Sequence, residues 1–400
     1  MIEILFSILF IISVLLFPFT KLKNKFFIPM LFYTLSHIYV GALFLFIHFT
    51  FYFIFFKSFK IMKVPKIYFI SISLITFFIF CSLINNPFNF RVGFQILELY
   101  LLITCTILIL FLIKNNHQKI QLFLKYQIFS SLPLITLLNL NPKSLPANET
   151  IFVLIFFSVI PCLTLYKFSS IKFKLFIIFN FLINLHTAGI AGSRSGFLII
   201  IFLFCLYIAT NYKIKKYKII YNSIIMITIT CAIFLLPHLT LTYGNLDSNL
   251  SQMSLFDLNN YSNLERFIML FASYELFLEK PLLGWGWGSI DSLFNSISYL
   301  KLNHPHPHNS FAHILVELGI FGFISFIIYK SLFFVFFLKT KNSPFKLYGL
   351  YCFISLMLTS MIDVIFFGVS RGLPISICLG LVMCIYMCEH NQNVRNSRPL

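Results

Sequence analysis

The sequence predicts an all-α protein, a polytopic transmembrane helix bundle of about 12 spans with one long, partly helical external loop. Three observations carry that expectation. Of 400 residues, 59% are hydrophobic and only 10% charged, which is not the composition of a soluble domain. The apolar residues gather in runs long enough to cross a hydrocarbon core, and twelve spans of about 20 residues account for roughly 240 positions. Residues 237–310 alone form a long stretch without a full apolar span. A membrane barrel would instead show short alternating strands, and a disordered or collagen-like chain would lack the apolar content.

The spans are expected at 2–19, 30–56, 67–84, 96–113, 120–138, 150–166, 174–190, 195–211, 219–237, 311–337, 347–367 and 373–388. The first has the length of a signal peptide, yet Glu3 stands where a basic start is usual and no small-x-small site follows, so it reads as a retained helix. The apolar stretch 26–56 can also turn near Gly41 into two short helices, giving thirteen spans and moving the amino terminus outside. The chain thus divides into a transmembrane bundle over 1–236 (nine helices, or ten with that turn), a loop over 237–310 and the last two to three spans with a tail over 311–400.

Charge orients the bundle. Lys+Arg number 30 against 12 Asp+Glu, a net +18 that in a soluble chain would suggest nucleic acid. Here the basic residues cluster between apolar runs: Lys57, Lys60, Lys63 and Lys66; Lys114, Lys119 and Lys125; Lys213, Lys215, Lys216 and Lys218; Lys339, Lys341 and Lys346. That is the signature of cytoplasmic loops, which explains the charge through membrane lipids and orientation, with no nucleic-acid partner. Lys21, Lys23 and Lys25 break the rule in the twelve-span arrangement. The nine cysteines lie in apolar segments without a CxxC pair and read as small core residues.

By alternation of loops, 237–310 faces the non-cytoplasmic side. It holds half of the 12 acidic residues, and long loops of this kind are functional or disordered. Leu264, Phe267, Ile268, Phe271, Tyr274 and Leu278 recur at helical spacing, which argues for order, and Gly284-Trp285-Gly286-Trp287-Gly288 follows Pro281 as a turn.

Three features there or nearby can carry chemistry. Arg194, in Ala191-Gly192-Ser193-Arg194-Ser195-Gly196, sits among small residues at the external end of a helix, where a guanidinium can grip phosphate or carboxylate; the plainer reading is an arginine reaching lipid headgroups. Arg266, on the loop helix, read alone is a solvated charge pairing with Glu265 or Glu279. His304-Pro305-His306-Pro307-His308-Asn309-Ser310 presents three imidazoles on an extended backbone, suited to proton exchange, to metal ligation with His313 or Asp291, or to a structural turn. Gly319 and Gly322 lie downstream at a spacing that lets another helix pack closely, and Glu317 is expected to face the bundle interior.

This arrangement resembles the bacterial O-antigen ligase family, within the superfamily that also holds O-antigen polymerases. The family's His followed by Asn, Ser or Gln, nine residues, Gly, two residues, and Gly, Thr or Tyr is met by His308, Asn309, Gly319 and Gly322. Its Arg-x-x-x-Leu pattern is met by Arg194 and Leu198, and its loop arginine ahead of a Pro-Leu-Gly turn by Arg266 before Pro281-Leu282-Leu283-Gly284. Asp363-Val364-Ile365 with Arg371 and Pro374 resembles the end of such ligases. His304 and His306 depart from the pattern by preceding the expected histidine.

The resemblance implies a multi-pass enzyme of the bacterial inner membrane, working on the periplasmic face. It would transfer a glycan from undecaprenyl pyrophosphate to a sugar hydroxyl of lipid A-core, by direct displacement with inversion and without metal or other cofactor. Arg194 and Arg266 would clamp the diphosphate and His308 would act as base, with Asn309, His306 and His304 as further substrate contacts. The alternatives are a polymerase joining carrier-linked repeats and a flippase of lipid-linked glycan. Transporters often show repeats or interrupted midplane helices, and neither is evident in the sequence.

Overall fold

The computed structural model describes residues 64–86, 90–113, 116–141, 147–211, 261–296, 307–341, 343–363 and 369–396. The expected spans at 2–19, 30–56 and 219–237 lie outside the described residues. Every regular element among the described residues is helical: α1 Lys66–Ser82, α2 Phe90–Ile113, α3 His117–Leu140, α4 running through Ala147–Leu154, Ile155–Val159 and Ile160–Tyr166, α5 Ile171–Ile190, α6 Arg194–Asn211, α7 Tyr261–Glu279, α8 Ile290–Ser296, α9 Ser310–Lys339, α10 Lys346–Ile362 and α11 Val369–Asn396. Six described helical segments are long and apolar enough to cross a membrane, so the chain is a multi-pass membrane protein. Helices suit lipid because each satisfies its own backbone polar groups.

The chain forms two compact units, residues 1–123 with 264–400, and residues 124–263. In the second unit, α4 is buried along nearly its whole length. Its middle turn, Ile155–Val159, widens to a π-helix, and there Ser158 donates to Asn180 Oδ1 while Asn184 Nδ2 donates to Ser158 Oγ at 2.8 Å. A polar seam continues along α5, with Asn139 Nδ2 donating to Thr187 Oγ1 at 2.7 Å. Hydrogen bonds of this kind hold helices together where lipid gives no hydrophobic drive to associate.

In the first unit, α11 packs on α2 through small residues: Thr106 Oγ1 donates to Ser376 O at 3.2 Å. Helix α9 meets α1, where the Phe78 and Phe321 rings stack at 5.8 Å, and meets α10, where Phe334 and Phe353 lie 5.2 Å apart.

Helix α9 is not the single straight span expected over 311–337. Gly319 has φ 64° and ψ −166°, so the helix is broken into arms 310–318 and 320–339. The second arm, about 20 residues, is enough by itself to cross the bilayer. The cause of the break is the turn after α7. Trp285 N–H donates to Val316 O at 2.8 Å, Gly286 N–H to Glu317 O at 2.9 Å, and Ile320 N–H to Pro281 O at 2.8 Å. These bonds replace those the broken helix gives up, as buried backbone requires. Gly284 and Gly319 face each other, both with positive φ, and a Cβ on Gly319 would strike Leu282 O and Gly284 N. A Cβ on Gly322 would run into Leu318 of the first arm. The two glycines therefore admit a loop and the helix's own bent arm, where the sequence suggested a neighbouring helix.

Glu317 faces the interior as expected and is fully buried. Its Oε1 accepts the Ile290 N–H at 3.2 Å, so one residue holds the turn through its backbone and α8 through its side chain. The end of α1 holds the other side: Asn85 Nδ2 donates to Gly284 O at 2.7 Å and Asn86 Nδ2 to Trp287 O at 2.8 Å.

Candidate active site

His308 stands two residues ahead of α9 with φ 45°, the only described non-glycine residue at positive φ. That backbone is uncommon for an L residue and costs about 1–3 kcal/mol, so the surroundings must enforce it. They do so on both sides. Asn309 Oδ1 accepts the N–H groups of Phe311 (2.9 Å) and Ala312 (3.1 Å), an N-cap that fixes where α9 begins. Asn309 Nδ2 donates to Met361 O at 3.2 Å and Ser310 Oγ to Asp363 O at 2.8 Å, tying the start of α9 to the end of α10. These ties bring Asp363 Oδ1 to 3.7 Å from His308 Nδ1, an ion-pair separation too long for a direct hydrogen bond. Both side chains keep partial access, at 18% and 12% exposure. An imidazole with a carboxylate at Nδ1 is oriented for general-base work through Nε2.

Arg266 lies in the first turns of α7, and its Nε is buried with no hydrogen-bond partner among the described residues. A buried guanidinium N–H without a partner is costly unless a ligand supplies the acceptor. The next residue, Phe267, and Asn309, next to His308, line one apolar cavity of about 440 Å³ together with Phe271, Tyr274, Phe311 and Leu315. Arg266 and His308 are thus each one residue from the same cavity.

Most of the helical stripe that marked α7 in the sequence stays exposed, and only its Ile268 is seen to pack against the buried cluster. Phe267, Phe271, Tyr274 and Leu278 are exposed, while Met269, Ala272 and Leu276 pack on Ile290, Phe294 and Val316. The buried face is the one with the smaller side chains, which let the Trp285 turn approach closely enough for Trp285 Nε1 to donate to Leu276 O at 2.8 Å. In a membrane protein a stripe of exposed rings is compatible with an apolar surrounding.

Arg194 belongs to the second unit, where it is the first residue of α6. Gly192, at φ 70°, turns the chain after α5, and Ser193 caps α6 by accepting the Gly196 N–H at 3.3 Å while donating to Asn148 Oδ1 at 2.9 Å. A cation at a helix N-terminus opposes the helix dipole, and an anion bound there would satisfy both the guanidinium and the helix end.

His304, His306 and the side chain of Arg371 lie outside the described residues. Asn309, expected as a substrate contact, spends most of its amide on the cap. Asp363 was visible in the sequence only as part of a family-like stretch. An acid closing an apolar run was the signal available, but nothing in the chain linked it to a histidine 55 positions earlier.

Comparison with known families finds one similarity. The family described as O-Antigen ligase matches residues 179–327. Over that segment the chain is similar to O-antigen ligases. The matched segment holds Arg194, Arg266, His308, Gly319 and Gly322, and ends before Lys330 and Asp363. The similarity to the O-antigen ligase family is confined to that segment. No curated protein matches the chain in sequence.

Proposed function

We propose that the protein is an O-antigen ligase, transferring a glycan from undecaprenyl pyrophosphate to a sugar hydroxyl of lipid A-core at the periplasmic face of the bacterial inner membrane. The observation that carries this reading is His308, held in a left-handed backbone beside Asp363 at 3.7 Å.

The reaction makes one bond and breaks one. The acceptor hydroxyl oxygen attacks the anomeric carbon, and the bond from that carbon to the diphosphate oxygen breaks with its electron pair going to the diphosphate. The hydroxyl proton passes to His308 Nε2, and Asp363 stabilises the imidazolium that forms. Single displacement inverts the anomeric carbon. Charge builds on the leaving diphosphate, which Arg194 and Arg266 neutralise as bidentate donors, each worth about 3 kcal/mol in a site screened from water. The two arginines carry that task without a metal. His304, His306 and Asn309 contact the bound substrates ahead of α9.

The test is purified protein reconstituted with carrier-linked glycan and lipid A-core, scored for which lipid bears the sugar. Glycan on lipid A-core is expected. Glycan moved onto a second carrier-linked glycan would make the protein a polymerase, and movement across the bilayer without transfer would make it a flippase.

A further inference from the structure

Lys330 lies in the second arm of α9 with no exposed surface, inside a helix that otherwise reads as apolar. An ammonium at such a depth costs several kcal/mol unless its surroundings compensate, so its contacts are informative. Among the described residues it makes no salt bridge. Its Nζ donates to Ser360 Oγ, and it lies over the rings of Phe326 at 4.1 Å and Phe311 at 4.7 Å.

Two of these partners flank the catalytic pair. Phe311 follows His308 by three positions, and Ser360 precedes Asp363 by three. On an unbroken helix Phe311 and Lys330, nineteen positions apart, would be separated by about 28 Å. They touch only because Gly319 bends the first arm of α9 toward the second, and the Phe311 and Phe323 rings, 6.0 Å apart, show the same fold-back. The lysine Nζ therefore bridges both strands of chain that deliver the site: it rests on the Phe311 ring at the α9 start and donates to the Ser360 hydroxyl at the α10 end.

The geometry points to Lys330 as a positioning residue that sets the His308–Asp363 separation from below, an inference that rests on the proposed role of that pair. Lys330 touches neither side chain of the pair in the described structure, and it lies outside the matched ligase segment. Its buried Nζ serves the site's alignment: Phe311 lines the cavity while its ring rests on the lysine.

The test measures kcat and KM for both lipids, per mole of folded protein, in wild type, Lys330→Met, Ser360→Ala, His308→Ala and the double Lys330→Met/His308→Ala variant. Methionine keeps the stem and removes the Nζ donor. Lys330→Met should lower kcat at least about tenfold with KM for the donor within about twofold, because a misplaced base loses rate without losing binding. Ser360→Ala should move kcat the same way by less, and adding Lys330→Met to His308→Ala should cost nothing further. Unchanged kcat in Lys330→Met, a loss confined to KM, or full additivity with His308→Ala would overturn the proposal. If Lys330→Met does not fold, Ser360→Ala and Phe311→Leu decide: wild-type kcat in both overturns it, and a fall in either at constant KM sustains it. Wild-type protein that transfers no glycan refutes the function itself, whereas active wild type with an indifferent Lys330 refutes only the positioning role.

Discussion

A histidine at φ 45° is held there by its neighbours, and the neighbours of His308 are a cap residue, a serine and an aspartate from two helix ends. Asp363→Asn keeps the shape and removes the charge that faces Nδ1. It should lower kcat by roughly 10²–10⁴ with little change in donor KM, measured in the reconstituted transfer assay. Arg266→Lys keeps a charge but removes the buried Nε–H, and transfer should fall roughly 10²-fold. A variant with full activity would mean that Arg266 serves as a solvated charge. The histidine and both arginines were legible because their residue types and spacing are unusual in an apolar chain. Asp363 and Lys330 were not, since each stands alone in an apolar run and acquires its partners only through tertiary folding. Asn309 was legible as a polar residue, and Asn before the first helical residue is also an N-cap signal, which the structure uses.

At the scale of elements, the bend in α9 carries the site. Gly319→Ala should strain the backbone and push against Leu282 O, destabilising the folded protein by on the order of 2–4 kcal/mol. Thermal unfolding of the detergent-purified protein should show a clear drop in Tm. Gly189→Ala in α5, where a Cβ meets nothing within 4 Å, should leave Tm unchanged or slightly raised. Equal effects at the two glycines would remove the case for a specific turn–helix contact. Hydrophobic periodicity revealed α7 and α9 as helices, yet it could not reveal the break. A run of apolar residues looks the same whether it is straight or folded, and the glycines at 319 and 322 fit close packing of any partner. Periodicity did not tell which face of α7 packs, where Met269, Ala272 and Leu276 are buried and Phe267, Phe271, Tyr274 and Leu278 lie outside.

For the whole molecule, composition was enough to establish a helical membrane protein, since 59% hydrophobic content in long runs has few other solutions. Which side the loop 237–310 faces rests on charge alternation. A cysteine placed at exposed Ser296, on a background lacking the native thiols, should react with a membrane-impermeant maleimide in spheroplasts. Protection until the membrane is opened would reverse the orientation. The proposed site divides its labour, with the arginines holding the diphosphate and the histidine doing the chemistry. Binding of a non-hydrolysable phosphonate analogue of the carrier-linked donor tests it most directly, compared across wild type, Arg194→Lys, Arg266→Lys and His308→Ala. Both arginine variants should bind at least about tenfold more weakly, while His308→Ala should bind like wild type and keep only a small residual transfer rate. Wild-type binding in both arginine variants, or lost binding in His308→Ala, would contradict the account.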